Sequence, residues 1–470
     1  MKVKAVKGRA DRARFIDLPW KIYQGDPNWV PPLKASVRAL LDTAKHPFYD
    51  GGKAAEAELF VAWDGRDVVG RVAAILNHNH NRVHEEQVVF FGFFETIDRP
   101  DVARELLSAV EKWAAERGAN AVRGPMNPST NYECGLLIEG FARPPALMMT
   151  YNPQSYVRFV EGAGYSKAKD LHAYISPVHG ASLGRLQKLA ERTRARNPGL
   201  TTRGANLSDF HGEVKLVQEI YNAAWEKNWG FVPMSDAEIE WLAKELKPLV
   251  HPELLRFALY DGEPVAFLLT MPDWNPVLAD LDGSPLRHPL RTLKHVFKSK
   301  PETMEGLRLF TLGTKPDHRK RGIEGILLGE GLKVSLDVGY KWCEYSWILE
   351  DNELTKRAVR LMDGELYKVL EYQHHKPGRG KATIRTTLRN LRTGASRPGP
   401  QPPKTTGRTR RARAVSSLLP LPCNSRSRSR EASMSGTTPY PSRMRTPNWL
   451  PCCCAATMNS TRSRRPSCPT

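Results

Sequence analysis

The chain has 470 residues, 70 Lys+Arg against 50 Asp+Glu and a 40% hydrophobic fraction, enough for one large or two to three ordinary globular domains, so disorder throughout is excluded. The net charge of +20 is uneven: residues 388–470 hold 16 basic groups against the single acid Glu431, a net +15, leaving 54 basic and 49 acidic groups on the first 387 residues. The body is therefore only mildly basic, and a nucleic-acid partner is expected only through the tail. Cys134 and Cys343 are the only cysteines of the body, too few for a disulfide framework, and the basic N-terminus lacks a signal peptide's apolar core. A reducing, cytoplasmic setting is expected. No run of about 18 uncharged apolar residues occurs, so neither a membrane span nor a membrane partner is expected.

In chain order, residues 15–32 carry Trp20, Tyr23 and Trp29 among polar residues, a helix and loop packing aromatics onto a domain. Glu58 to Trp63 and Val68 to Leu76 alternate around Asp64-Gly65-Arg66-Asp67, the signal of a hairpin. Val88 to Ile97 reads as a buried strand, Asp101 to Arg117 as a helix ending at Gly118, and Ala119 to Gly124 as the next strand. A second, similar pattern opens with helices over Val214 to Asn228 and Ser235 to Leu246, where Ser235 and Glu238 form a capping box. It continues with a hairpin (Leu254 to Tyr260, Val265 to Met271), a helix (His288 to Lys298) and a strand (Leu307 to Leu312). A helix (Gly322 to Val338), a strand (Lys341 to Leu349), a helix (Asn352 to Met362) and a strand (Tyr367 to Gln373) complete it. The fold class is α/β, in mixed layers with each half a central mixed sheet flanked by helices. The expected boundaries are 1–190, 191–388 and a tail over 389–470.

The tail shows neither a 3.6 nor a 2.0 hydrophobic period and should be disordered. It reads as a basic nucleic-acid arm, a solvated linker or an out-of-frame translation of a GC-rich gene end. The near absence of acids, the abundant Arg, Pro and Ser and the run Cys452-Cys453-Cys454 favour the third.

The most informative stretch is Leu312-Gly-Thr-Lys-Pro-Asp-His-Arg-Lys-Arg-Gly-Ile-Glu-Gly-Ile326, between a predicted strand and a predicted helix. A helix N-terminus offers unpaired amides and partial positive charge, Gly322 allows close approach, and Arg319, Lys320 and Arg321 can meet phosphate oxygens. A basic loop capping a structural helix is the plainer reading. The segment resembles the acyl-CoA-binding signature of the GNAT acyltransferase superfamily, Gln/Arg-x-x-Gly-x-Gly/Ala, with Arg319 and Gly322 in place, Glu324 where Gly or Ala is usual, and Gly325 one residue late. With the runs Gly124 to Gly135, Asn228 to Pro233 and Ser346 to Asn352, the chain over residues 1 to about 388 resembles a bacterial family of tandem GNAT-type proteins. The resemblance implies a first half that is a degenerate copy, its junction Asp98-Arg99-Pro100-Asp101 unsuited to phosphate. It also implies a second half binding acyl-CoA, acetyl-CoA first, through Leu312, Thr314, Arg319, Lys320, Arg321, Gly322, Ile323, Gly325 and Asn352.

By the same resemblance, backbone amides over Leu312 to Thr314 would hold the oxyanion, Glu344 would be the base with Glu350 and Asp351 as rivals, and Tyr367 or Tyr372 would be the acid. Each of these has a structural alternative: a strand carboxylate is more often salt-bridged, and a buried tyrosine more often core. His78, His80 and His84 sit in a polar Asn-rich loop and no metal is expected. Trp225, Trp229 and Phe231 are an acceptor wall or interface core, and the Gly124 to Gly135 run is a structural loop or a cleft wall. Cys134 and Cys343 read as buried small hydrophobes. The resulting expectation is an N-acyltransferase acting on a small-molecule or peptide amine. The alternatives are a non-catalytic GNAT-like binding module and a Fem-like aminoacyl-tRNA-dependent transferase.

Overall fold

The computed structural model describes residues 1–363, 367–375, 383–390, 396–398 and 410–418, with side chains over 1–359 and 412–417. The chain opens with β1 (Lys2–Ala5), α1 (Gly8–Ile22) and α2 (Lys34–Leu40), then the hairpin β2 (Ala55–Asp64) and β3 (Asp67–Asn77). Next come α3 (His78–His84), β4 (Val88–Thr96), α4 (Pro100–Ala115) and β5 (Ala121–Gly124). The short β6 (Met126–Asn127), β7 (Glu133–Cys134) and β8 (Leu136–Glu139) precede α5 (Ser155–Gly162) and the long β9 (Ser166–Pro177). The second half holds α6 (Leu183–Arg196), β10 (Leu200–Gly204), α7 (Phe210–Trp225), α8 (Asp236–Leu246), β11 (Leu255–Tyr260) and β12 (Glu263–Pro272). It continues through α9 (Asn275–Leu281), α10 (Pro289–Lys298), β13 (Gly306–Thr314), α11 (Ile323–Val338), β14 (Trp342–Leu349) and α12 (Glu353–Asp363). Last are β15 (Tyr367–His375), β16 (Thr383–Asn390), β17 (Ser396–Pro398) and β18 (Arg410–Leu418).

One mixed sheet runs through both halves in the order β1-β2-β3-β4-β5-β18-β9-β14-β13-β12-β11-β10, with β8 on β18, and β15-β16-β17 form a separate antiparallel sheet. Both halves thus lie within one compact unit, Met1–Pro422. In the first half α4 lays Val102, Leu106, Val110 and Trp113 on the sheet beside Phe91, Val122 and Phe159. In the second, α11 buries Ile323, Ile326, Leu327 and Leu328 with Leu186 of α6 and Ala266, Leu268, Tyr345 and Ile348 of the sheet. Gly325 and Gly329 make that contact possible, since Cβ atoms there would lie 2.7 Å from Leu189 and 3.2 Å from Leu186.

Two expectations need correction. The tail supplies β18, antiparallel to both β5 and β9, with Ala412, Ala414 and Val415 buried. Strand addition reads backbone hydrogen bonds more than side chains, so a gap between β5 and β9 accepts a segment of weak pattern. His78 to His84 form a helix rather than a loop, because the Asn77 side chain accepts from His80 N–H and caps it. Ser235 does cap α8, accepting from Glu238 N–H at 3.2 Å. The Glu238 carboxylate is held by the Ser235 backbone in return and also accepts from Tyr132 Oη at 3.1 Å.

Candidate functional site

The two halves treat the same junction differently. In the first, β4 and β5 pair in parallel over Val88 to Phe90 and Ala121 to Arg123. The chain leaving β5 then folds back against β4: a Cβ at Gly92 would lie 1.8 Å from Met126 O, and Phe93 N–H donates to Asn127 Oδ1 at 2.6 Å. In the second, β13 and β14 pair over Gly306 to Leu309 and Trp342 to Tyr345 and then diverge, β13 staying with β12 and β14 with β9. Phe310 is the extra residue of a bulge at that point, since Leu269 faces Thr311 and Thr270 faces Leu309. Lys315 N–H donates to Val265 O at 2.8 Å. The alternation of an antiparallel ladder then turns the amides of Thr311 and Gly313 toward β12 and those of Leu312 and Thr314 into the splay.

The loop after β13 brings the basic run to the start of α11. Lys320 (φ 63°) and Gly322 (φ 85°) take left-handed conformations, α11 begins at Ile323 without a side-chain cap, and Lys320 and Arg321 are exposed. These features fit a phosphate-bearing co-substrate. Gly322 is also required by packing, a Cβ there lying 2.9 Å from Thr193 Oγ1. Arg319 behaves differently from a free phosphate ligand, because its guanidinium donates to Thr314 O at 3.2 Å and Ala224 O at 2.6 Å, tying β13 to the end of α7. Arg321 stacks over Tyr260, 5.1 Å from the ring centroid. Gly325 faces α6, so its place one residue after the usual position follows from helix packing. Asn352 Oδ1 accepts from Thr355 N–H at 3.1 Å and caps α12.

Glu344 on β14 is fully buried among polar groups that no pattern announced. Its Oε1 accepts from Ser346 Oγ at 3.1 Å, Ser346 Oγ accepts from Arg308 Nε at 3.0 Å, and Oε2, 3.8 Å from the Arg143 guanidinium, has no hydrogen-bond partner among the described residues. Arg308, on β13 beside Glu344, also donates to Leu147 O at 2.6 Å. Burial lowers the Arg308 pKa to about 10 against the opposing fields of Glu344, Glu133 and Asp273. Asp273 accepts from the amides of Leu147 (2.9 Å) and Asn275 (3.3 Å). Burial raises its carboxyl to about 7, and the neighbouring Glu344 adds to the rise. The rivals Glu350 and Asp351 are instead paired with Lys167 (2.5 Å) and Lys169 (2.6 Å).

Burial likewise raises Glu95 and Glu238 to about 7. Ordinary carboxyls titrate near 4, so between about pH 4 and 7 the folded state binds more protons than the unfolded one. Stability from these groups is present at low pH and declines as pH rises, by up to about 1.4 kcal/mol per pH unit for each. Urea midpoints measured from pH 5 to 8 should fall across that range, and Asp273→Asn should flatten the fall. A midpoint rising toward pH 8 would contradict it.

On the same face of the sheet, α7 and α8 enclose an apolar cavity of about 880 Å³ including its open mouth. It runs from Phe310 and Thr311 across Phe267, Leu269 and Leu255 to Phe210 and Lys247, with Val217, Ile239 and Ala243 as its roof. The Thr311 hydroxyl is buried without a hydrogen-bond partner among the described residues. Phe310 separates the cavity from Arg308, whose guanidinium lies 4.8 Å from its ring centroid. The first half's Gly124 to Gly135 run reaches this wall: Asn131 lines it, accepts from Tyr221 Oη at 3.1 Å and donates to Val232 O at 3.1 Å.

Trp225 packs on Gly313, where a Cβ would lie 2.2 Å from its ring, and Phe231 is buried. Trp229 packs beside the first half's core. His80 is paired with Glu86 at 2.9 Å and lowered by burial to about 4. Burial pushes the thiols of Cys134 and Cys343 up to about 12, where they are not activated nucleophiles. Tyr367 and Tyr372 lie on β15 of the small separate sheet, and their side chains fall outside the described residues. Sequence reasoning missed Arg308, Asp273 and Ser346. It also missed a first-half network in which Tyr23 and Tyr156 donate to Glu95 Oε2 at 3.0 and 2.9 Å beside Arg71. The one available signal was charge inside apolar strands, at Arg71, Glu95 and Arg308.

Residues 352–397 match the elongation factor P (EF-P) KOW-like domain, and a 48-residue stretch is 59% identical to elongation factor P of Pelotomaculum thermopropionicum, covering 26% of that protein. Among solved structures, a tandem GNAT protein from the clavulanic acid biosynthesis pathway is similar at 12% identity and a TM-score of 0.45, over 89% of this chain and 99% of that one. The body is similar to protein YghO of Escherichia coli, 31% identical over 375 residues, 78% of this chain and 93% of YghO. It is also 33% identical over 375 residues to the bacterial ceramide synthase of Caulobacter vibrioides, covering 78% of this chain and 95% of that protein. With that identity over nearly the whole of the relative, the chain belongs to the bacterial ceramide synthase family.

Proposed function

We propose that the protein transfers a long acyl group from acyl-CoA to the amine of a lipid, forming an amide as in a ceramide. The observation that carries this reading is the apolar cavity, about 880 Å³ with the open solvent at its mouth included, which Phe310 and Thr311 line on the strand whose Leu312 and Thr314 amides face the splay. A carbonyl held by the amides of Leu312 and Thr314 would have its carbon chain continue past Thr311 into that cavity. This favours a long acyl chain over the acetyl group first expected. The name of the Caulobacter relative supports a lipid amine as acceptor. The second half acts as donor-binding domain and the first supplies part of the wall through Asn131.

In the reaction, the free electron pair of the amine attacks the thioester carbon, the C–S bond breaks, and the ammonium proton passes to a carboxylate. Glu344, its Oε2 without a hydrogen-bond partner among the described residues, takes that role, with Ser346 and Arg308 fixing its orientation. Asp273 is the second acceptor of protons in reach of the same buried cluster. The amides of Leu312 and Thr314 stabilise the developing oxyanion. Lys320, Arg321 and the first turn of α11 hold the phosphates, with Arg319 joining them if it leaves Ala224. Tyr367 and Tyr372, on the separate β15 sheet within the stretch similar to elongation factor P, are the proposed proton donors to the departing thiolate, and Tyr→Phe at both with unchanged kcat would remove them from that role.

The test is turnover of the full chain with palmitoyl-CoA and sphinganine, read by mass spectrometry, beside acetyl-CoA and short-chain amines. Amide formation with the long-chain pair, at least tenfold above acetyl-CoA, is the expected result. Thermal stabilisation by CoA thioesters without turnover on any amine would replace this reading with the non-catalytic binding module.

A further inference from the structure

The segment between β12 and β13 carries a helix built inside out. On α10 and the turn before it, Leu286 (93% exposed), Leu290 (82%), Leu293 (54%), Val296 (70%) and Phe297 (72%) point outward, and no residue of the helix is buried. The polar side faces the protein instead. Thr292 Oγ1 donates to Pro285 O at 2.7 Å, His295 Nε2 lies 2.8 Å from Asp280 Oδ2, and Arg291 donates to Asp280 O at 3.1 Å. At 100° per residue within α10, Leu290, Leu293 and Phe297 form one stripe and Arg291, Lys294 and Lys298 a second beside it, with Asp280 lying 3.7 Å from Arg291 and 3.6 Å from Lys294. No acid occurs from Ser284 to Lys300.

We infer that α10 is an interfacial helix that seats the protein on an anionic phospholipid surface. An apolar stripe flanked by cations is the chemistry of a helix lying at the boundary of headgroups and acyl chains. The charge argues against the main alternative. A second copy of this helix packed on the same stripe would bring two rows of Arg and Lys together, whereas an anionic surface neutralises them. The placement also has a use: α9 buries Val277 and Leu281 in a cluster packed against Leu246, Leu249 and Val250. Leu246 and Val250 in turn line the apolar cavity. The helix therefore stands one layer outside the wall of the pocket assigned to an alkyl chain. Among the described residues no helix is long and apolar enough to cross a membrane, so contact of this kind would be peripheral. It departs from the expectation of no membrane partner, which rested only on the missing span.

The purpose of this surface rests on the lipid reading above, but its test does not involve catalysis. Full-length protein is floated with vesicles of phosphatidylcholine containing about 30% phosphatidylglycerol, and with phosphatidylcholine alone, beside the variant Leu290→Ser plus Phe297→Ser. Both side chains are exposed, so folding is retained, checked by an unchanged melting curve. The basic residues after position 388 are identical in both proteins, so the difference reports α10 alone. The expected result is binding to the anionic vesicles that the variant loses by about thirtyfold or more, since each buried methylene contributes about fourfold. Equal binding of the two proteins would assign the contact to the basic tail and overturn the inference, as would no binding by the wild type. A wild-type dimer that the variant converts to monomer, without vesicle binding, would give the face to a second copy and also overturn it. Vesicle binding without acyl transfer would leave this surface standing and remove the catalytic reading.

Discussion

Glu344→Gln should lower kcat for acyl transfer by about 10²- to 10⁴-fold while leaving the fold intact, the range spanned by loss of a positioned base. The substitution keeps the side chain's shape and its contact with Ser346 Oγ, while removing the capacity to take a proton at Oε2. KM for the acyl-CoA should change little, because Lys320, Arg321 and Gly322 follow the end of β13 whereas Glu344 faces Arg308 near its start. Asp273→Asn provides the comparison. If Asp273 is the base, its variant shows the large loss and Glu344→Gln retains activity within a few fold. A melting curve for each variant separates lost chemistry from lost packing, since a buried cluster with Arg308 at its centre is sensitive to charge balance. Activity in both variants within a few fold of wild type would exclude the cluster from proton transfer.

The second large effect concerns chain length. Ala243→Phe places a ring in the roof of the cavity, opposite the sheet. Each methylene denied burial costs about 0.8 kcal/mol, a factor of about four, so losing room for three or four carbons lowers kcat/KM for palmitoyl-CoA on the order of 10²-fold. Acetyl-CoA, which does not reach the roof, should be used as before. The readout is the ratio of kcat/KM across a series of acyl-CoA lengths. A uniform fall at every length would indicate a disturbed fold, and an unchanged profile would place the acyl chain elsewhere.

Much of the architecture could be read from short-range pattern. The hairpins at Asp64-Gly65 and Asp261-Gly262, the helix over Asp101 to Arg117 and the strand, glycine and helix order around Gly322 all depend on contacts within a dozen residues. There, turn geometry and amphipathic period decide the local conformation. The place of the basic run before α11 was legible in the same way, because Lys320, Arg321 and Gly322 lie within one loop. The Cys134 and Cys343 side chains are buried, the default for thiols with no signature of an activated nucleophile.

The mixed α/β class, the order of elements and the site of the glycine turn before α11 thus follow from short-range pattern. Tertiary structure alone decided that one sheet joins both halves, that the first splay is filled by Met126 and Asn127 while the second stays open, and that β18 fills the gap beside β5. It also decided that Arg319 serves Ala224 and Thr314, that Asp273 and Arg308 meet Glu344, and that α10 turns its apolar side outward. These outcomes rest on groups such as Asp273 and Leu147, 126 residues apart, whose partners are chosen by packing and by the cost of leaving a buried polar atom unpaired. A periodic pattern records which side of an element avoids water, and it carries no information on which distant residue comes to cover that side.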